Sequence, residues 1–252
     1  MIMQVLWVAL AGFGVAFIFS MVGSGGSQIL VPILFWLGFE FKTGAIPLAL
    51  WMGAVICFSA GAVYYRRGLV LLKMALPFGL AVLACSIIGA LVTFPTTSKV
   101  LLIFFAASNI FMGIVVLSGR SMKEKTLSRK AEIWLGIILG IGVGFMLGFA
   151  GRDGGPFVVA ILIFIGFEAK EAAATTTLVL ASGCLAAFLT HLPHATIGWE
   201  PILAGALACL VGSQLGSRFM TVRLDSRAIR LILAGVMLVI GVILLVQGLI
   251  SL

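Results

Sequence analysis

Gly38-Phe39-Glu40-Phe41-Lys42 returns as Gly166-Phe167-Glu168-Ala169-Lys170, 128 residues further on. In a chain of 252 residues this offset is close to half the length. At the same offset, with no gap, Gly12 and Gly14 fall on Gly140 and Gly142, Phe17 on Phe145, Gly23 on Gly151 and Gly26 on Gly154. Beyond Lys42 the identities fade and the order of apolar runs carries the correspondence. Glycines coincide easily in glycine-rich helices, but a charged Gly-Phe-Glu-x-Lys pair does not. The chain reads as one unit written twice.

The repeated unit is apolar. Hydrophobic residues make up 62% of the chain and charged residues 10%, against about 25% charged in soluble domains. A soluble fold of this length has more surface than these polar groups can cover. The soluble-enzyme classes are excluded, and a polytopic membrane protein remains. The apolar runs lie at about 3–22, 27–38, 44–63, 69–92, 100–118, 133–150, 156–167, 172–190, 201–220 and 228–250. They are long and continuous, without the alternation of barrel strands, so they read as helices whose backbone bonds close internally. The first run has no basic flank and further membrane segments follow at once, so it is expected to be a retained helix.

Two runs, 27–38 and 156–167, hold twelve residues each. That is about 18 Å of helix, short of the roughly 30 Å hydrocarbon core. Each follows a glycine cluster, which reads as a break inside the membrane or the tip of a re-entrant turn.

Five crossings per repeat would invert the second half, and the basic residues favour this. Arg66, Arg67 and Lys73 flank one connection; Arg120, Lys123, Lys125, Arg129 and Lys130 fill the central one; Arg218, Arg223, Arg227 and Arg230 flank a third. Ten crossings with an external N-terminus put all three clusters in the cytoplasm. The connections at 93–99 and 191–200 are then external and hold one lysine, Lys99. The expected organisation is a first repeat at 1–122, a basic connection at 123–132 and a second repeat at 133–252. The rival is eight crossings with two re-entrant segments, which sends one basic cluster outside. The net charge of +8 is thus explained by orientation and calls for no nucleic acid.

The first break reads Gly23-Ser24-Gly25-Gly26-Ser27-Gln28 and the second Gly151-Arg152-Asp153-Gly154-Gly155-Pro156. Such runs hold no regular helix cheaply. A broken helix exposes amides at its new N-terminus, which together with the helix dipole attract an anion. Inverted-repeat carriers place substrate between such breaks. The candidate binding residues are therefore Gly23, Ser24, Gly25, Gly26, Ser27, Gln28, Gly151, Arg152, Gly154 and Gly155, with Thr175 and Thr176 from the following helix. Close packing or tight turns are the alternative use of these glycines. Arg152 offers a forked donor to an oxyanion. Asp153 either neutralises it or exchanges a proton during transport. The lysine of a phosphate-binding P-loop is missing.

Other polar residues suggest structural roles. Gln28, Asn109, Ser182 and Gln214 are expected to bond across helices. Cys57, Cys85, Cys184 and Cys209 lie within apolar runs and read as small packing residues. Cys184 opposes Ile56, one position before Cys57, so the two thiols need not face each other. His191 and His194 are expected in an external loop with Glu200. Glu40, Lys42, Glu168, Lys170 and Glu171 are expected to pair at the membrane edge. No metal or cofactor pattern stands out.

Gly23-Ser24-Gly25-Gly26 with Pro32 and Gly38, echoed by Gly154-Gly155 before Gly166, resembles the TauE/SafE-like sulfite exporter family, also called the toluene-sulfonate uptake permease family. The resemblance covers essentially the whole chain, including its size and duplication. It implies a small secondary carrier of sulfite, sulfonates or related sulfur-containing anions in the prokaryotic cell membrane. The chain departs from the family's pattern at Ser27, where a third consecutive glycine is usual, at Asp153, and at Ala160 where the first copy has Pro32.

The reading that follows is a secondary transporter of a small anion working by alternating access, with protons as a candidate coupling ion. Its partners are that anion and membrane lipid, with self-association into a homo-oligomer left open. An anion channel and a non-transporting membrane assembly protein are the alternatives. A channel needs a continuous polar path, and an enzyme needs clustered His, Cys or carboxylates at one depth.

Overall fold

A computed structural model describes residues 2–93, 110, 111, 114, 117, 118 and 128–250. The run at 100–118 lies largely outside the described residues. So do Asn109, Lys99, Arg120, Lys123 and Lys125.

Every regular element among the described residues is helical. The helices are α1 (Ile2–Met21), α2 (Ser27–Trp36), α3 (Ile46–Arg66), α4 (Leu72–Val92), α5 (Arg129–Ala150), α6 (Gly155–Ile165), α7 (Ala169–His191), α8 (Trp199–Arg223) and α9 (Ser226–Ile250). A π-helical turn, Phe41–Ala45, leads into α3, and a 3₁₀ turn, Leu192–His194, follows α7. Seven of these segments are long and apolar enough to cross a bilayer, while α2 and α6 are too short. The protein is an all-α, multi-pass membrane protein. Several helices start earlier than their apolar runs, because polar residues supply the first turn. Ser128 caps α5, its hydroxyl accepting from the Ala131 amide at 3.3 Å.

Burial sorts the helices into layers. In the spans built around α3 and α7, 72% of the residues are buried, against 29–39% in the five others. Those outer helices turn large apolar side chains outward, such as Leu6 and Leu10 of α1, Leu76 and Leu80 of α4, and Leu203 and Leu207 of α8. This is the surface a lipid environment favours. Lipid gives no hydrophobic drive between helices, so packing must, and glycines provide it. A Cβ on Gly148 would collide with the Ser86 carbonyl, and one on Gly89 with the Phe145 carbonyl, so α5 lies directly against α4. Gly212 and Gly216 let α8 lie against Phe13 and Phe17 of α1 in the same manner. α3 packs on α7 and also on α8, and α7 packs on α4.

The Gly-Phe-Glu pair has the same local shape at both sites. Gly38 and Gly166 both turn through positive φ, at 90° and 108°. Glu40 and Glu168 both adopt extended N-cap conformations (φ −60°, ψ 139° and φ −64°, ψ 138°). Glu40 also caps the turn that follows it. Its carboxylate accepts from the Thr43 amide and from the Thr43 hydroxyl at 2.7 Å, and that amide holds the Glu40 carboxyl below its ordinary pKa. Glu168 accepts weakly from Ser226 at 3.4 Å.

Candidate functional site

The two glycine breaks are buried and touch. Every residue from Met21 to Gln28 and from Gly151 to Pro156 is buried. After α1 ends, Gly23 and Gly26 take positive φ of 80° and 70° and fold the chain back into α2. A side chain at either would be strained as well as crowded. A Cβ on Gly155 would lie 2.6 Å from the Gly23 carbonyl oxygen and 2.8 Å from Ser24 Cα. The second break therefore crosses the first at contact distance, and Gly155 is required for that crossing. Gly23 packs on Ala173 of α7, while Gly151 packs on Ile46 of α3.

Asp153 ties the breaks together. Its carboxylate accepts from the Ser24 hydroxyl, at 2.9 Å to Oδ1 and 2.8 Å to Oδ2. That hydroxyl oxygen in turn accepts from the Gly26 amide at 3.1 Å. In return, the Asp153 amide donates to Ser27 Oγ at 3.1 Å. The N-terminus of α2 has no side-chain cap of its own from Gly26. Asp153 supplies the anionic partner that a helix N-terminus favours, from the other half of the chain.

Arg152, beside it, is in the opposite situation. It is only 4% exposed, and among the described residues it has no hydrogen-bond acceptor and no ion-pair partner. The adjacent carboxylate is directed into the first break instead. Two further sequence-predicted residues carry buried polar atoms without a partner: Gln28, at Nε2 in the first turn of α2, and Thr176, at Oγ1 on α7. Thr175 is engaged, its Oγ1 accepting from the Leu71 amide at 3.0 Å where α4 begins. The Thr177 hydroxyl returns to its own helix, donating to the Ala173 carbonyl at 2.8 Å.

Several residues differ from their sequence reading. His191 is buried rather than in a loop, its Nε2 3.0 Å from the Gly148 carbonyl. Thr93 donates to the Gly148 and Phe149 carbonyls, so both residues help satisfy the end of α5. His194 is exposed. Gln214 bonds across helices as expected, its Nε2 donating to the Ser59 carbonyl and hydroxyl at 3.0 and 2.9 Å. Cys184 reaches the face of α3 that carries Cys57: its Sγ lies 3.4 Å from the Cβ position of Gly53, one turn before Cys57. Sequence reasoning also missed Tyr64, whose hydroxyl donates to the Ser20 carbonyl at the end of α1. A cavity of about 490 Å³ lined by Trp51, Val55, Phe58, Ser59, Leu185 and Leu210 is almost wholly apolar and suits hydrocarbon rather than an anion.

The sulfite exporter TauE/SafE family model matches residues 8–244, nearly the whole chain. The chain belongs to the TauE/SafE family. It is similar to the probable membrane transporter protein y4hK of Sinorhizobium fredii, with 25% identity over 251 residues covering 96% of this chain and 98% of the relative. It is likewise similar to the probable membrane transporter protein YunE of Bacillus subtilis, with 25% identity over 263 residues covering 92% and 94%. No solved structure matches the chain. This TauE/SafE protein is thus a multi-pass membrane protein of a transporter family.

Proposed function

We propose that this protein is a secondary carrier of a small anion, of the sulfite, sulfonate or related sulfur-oxyanion class that the family's description suggests, in the prokaryotic cell membrane. The observation that carries the reading is the split between two neighbouring residues. The Asp153 carboxylate is held by the Ser24 hydroxyl of the first break, just before α2, while the buried Arg152 has no acceptor among the described residues. In this reading the first break is an anion-binding position that one of the protein's own anions holds.

Transport follows from exchanging that anion. When Asp153 takes up a proton it loses its charge and most of its attraction to the α2 amides. A substrate oxyanion can then occupy those amides and take the Arg152 fork. Gln28 and Thr176 supply further donors. Deprotonation of Asp153 restores the internal competitor and expels the substrate, so proton and anion move in a linked cycle.

The repeat supports alternating access. The matching conformations at Gly38 and Gly166 and at Glu40 and Glu168 agree with a duplicated unit. So does the reciprocal pairing of α1 with α8 and α4 with α5. With five segments per repeat the halves are inverted, and rocking one against the other exposes the crossing point to each side in turn.

The test is flux in liposomes of purified protein with sulfite, sulfate, thiosulfate, sulfonates and organic acids on one side. Saturable uptake accelerated by counterflow is expected for at least one sulfur oxyanion. Flux that is linear with concentration and insensitive to counterflow would replace the carrier with a channel, and no flux at all would favour the assembly-protein alternative.

A further inference from the structure

Cys57 and Cys184 take no part in the anion cycle, yet they stand at its centre. Cys57 is on α3 and Cys184 on α7, the two most buried spans, and both side chains are fully buried. Both are free thiols. Their placement also follows from the glycines. A Cβ on Gly53 would lie 3.4 Å from Cys184 Sγ, and Gly53 is one helical turn before Cys57 on the same face of α3. Cys184 Sγ thus lies against the face of α3 on which Cys57 sits. A Cβ on Gly25 would lie 3.0 Å from Cys57 Sγ and 3.0 Å from Asp153 Oδ2. The dithiol and the Asp153 carboxylate therefore flank the same residue of the first break.

We propose that Cys57 and Cys184 are a modification site: a dithiol that closes to a disulfide across α3 and α7 and arrests the cycle. Two S–H bonds break and one S–S bond forms. Two electrons and two protons pass to a lipid-soluble acceptor of the quinone class, which becomes a hydroquinone. The bond requires the two Cα atoms within about 7 Å, so it fixes α3 against α7 at one separation. In the carrier reading these are corresponding helices of the two repeats, and rocking moves one against the other. The arrest rests on that reading; the formation of the bond does not.

The dithiol is also distinct from the other two cysteines. Cys85 is half-buried on α4, and Cys209 on α8 donates to the Gly12 carbonyl at 3.5 Å. A Cys85→Ala/Cys209→Ala background removes both while leaving the pair.

The experiment treats this background protein in liposomes with diamide, whose N=N bond takes up the two hydrogens. It then reads two quantities. Mass spectrometry of the digested, non-reduced protein reports the Cys57–Cys184 link, and anion flux reports the arrest. The expected result is the linked peptide together with loss of flux, both reversed by dithiothreitol. Cys57→Ala and Cys184→Ala variants should keep flux in diamide. No linked peptide, at any flux, overturns the proposal. A linked peptide with undiminished flux overturns the arrest. A linked peptide from a protein that carries no anion even when reduced supports the modification site and refutes the carrier reading instead.

Discussion

The Ser24 hydroxyl reaches both oxygens of the Asp153 carboxylate, 129 residues away in sequence. The one proton is shared between two acceptors, and the partner is charged. Hydrogen bonds to charged groups contribute about 1.5–3 kcal/mol each, and losing a donor to a buried carboxylate costs in that range. Ser24→Ala should therefore lower the unfolding midpoint of the purified protein in detergent by that equivalent. A midpoint unchanged from wild type would mean that the Ser24–Asp153 contact does not hold the two breaks together.

Arg152 should matter to substrate out of proportion to the other arginines. Arg152→Ala removes a buried fork, and a charge-assisted pair of about 1.5–3 kcal/mol corresponds to roughly tenfold to a hundredfold in anion affinity. Arg66→Ala, at the exposed end of α3, should change it little. Arg152→Lys keeps the charge without the planar fork and should fall between them. The check is the concentration dependence of liposome uptake. Equal losses for Arg152→Ala and Arg66→Ala would remove Arg152 from the site.

Asp153 sets the direction of the pH effect. Protonation frees the α2 amides, so anion entry should rise as the pH on the entry side falls. Asp153→Asn, permanently uncharged, should flatten this dependence and end net proton movement with the anion. Proton movement per anion that survives the substitution, read with an internal pH dye, would exclude Asp153 as the coupling group.

The glycines of α5 separate into two kinds. Gly148 meets the Ser86 carbonyl, while Gly142 has open space within 4 Å. Gly148→Ala should cost about 1–3 kcal/mol or more by forcing α5 from α4. Gly142→Ala should be neutral or gain up to about 1 kcal/mol from helix propensity. Thermal unfolding of the two variants side by side measures the contrast, which disappears if α5 does not lie on α4.

Glu40 gives an acid-limb prediction. Its pKa is lowered in the folded protein, chiefly by the Thr43 amide, so its contribution is complete above the unfolded glutamate value of about 4.3. That contribution is lost as pH falls through the lowered folded value. Glu40→Gln keeps an acceptor but does not titrate there. The difference in unfolding midpoint between wild type and Glu40→Gln should therefore shrink or reverse only below that pH.

What the chain discloses in advance is governed by how local the cause is. Helices α2 and α6 were legible as short because an apolar run ends where its residues end. The breaks were legible because consecutive glycines act on their own backbone. Arg152 and Asp153 stood out as charges amid apolar neighbours. Their divergence was not legible, because it depends on Ser24 and Ser27 arriving from the other half of the chain. His191 was misplaced for a related reason. A histidine beside Pro193 looks like a loop residue until the end of α5 presents the Gly148 carbonyl to it. The offset between Cys57 and Cys184 left their relative facing open, since helix crossing geometry leaves no trace in either local sequence.

The seam between α1 and α8 has a consequence for how the protein is made. α1 leaves the ribosome well before α8, and the glycines that receive it, Gly212 and Gly216, are translated only after the helices between them. Until then α1 waits in the bilayer with Phe13 and Phe17 backbone uncovered on that side. Insertion and assembly are therefore separate stages, and the nascent first half must survive on its own before the second half arrives to enclose it.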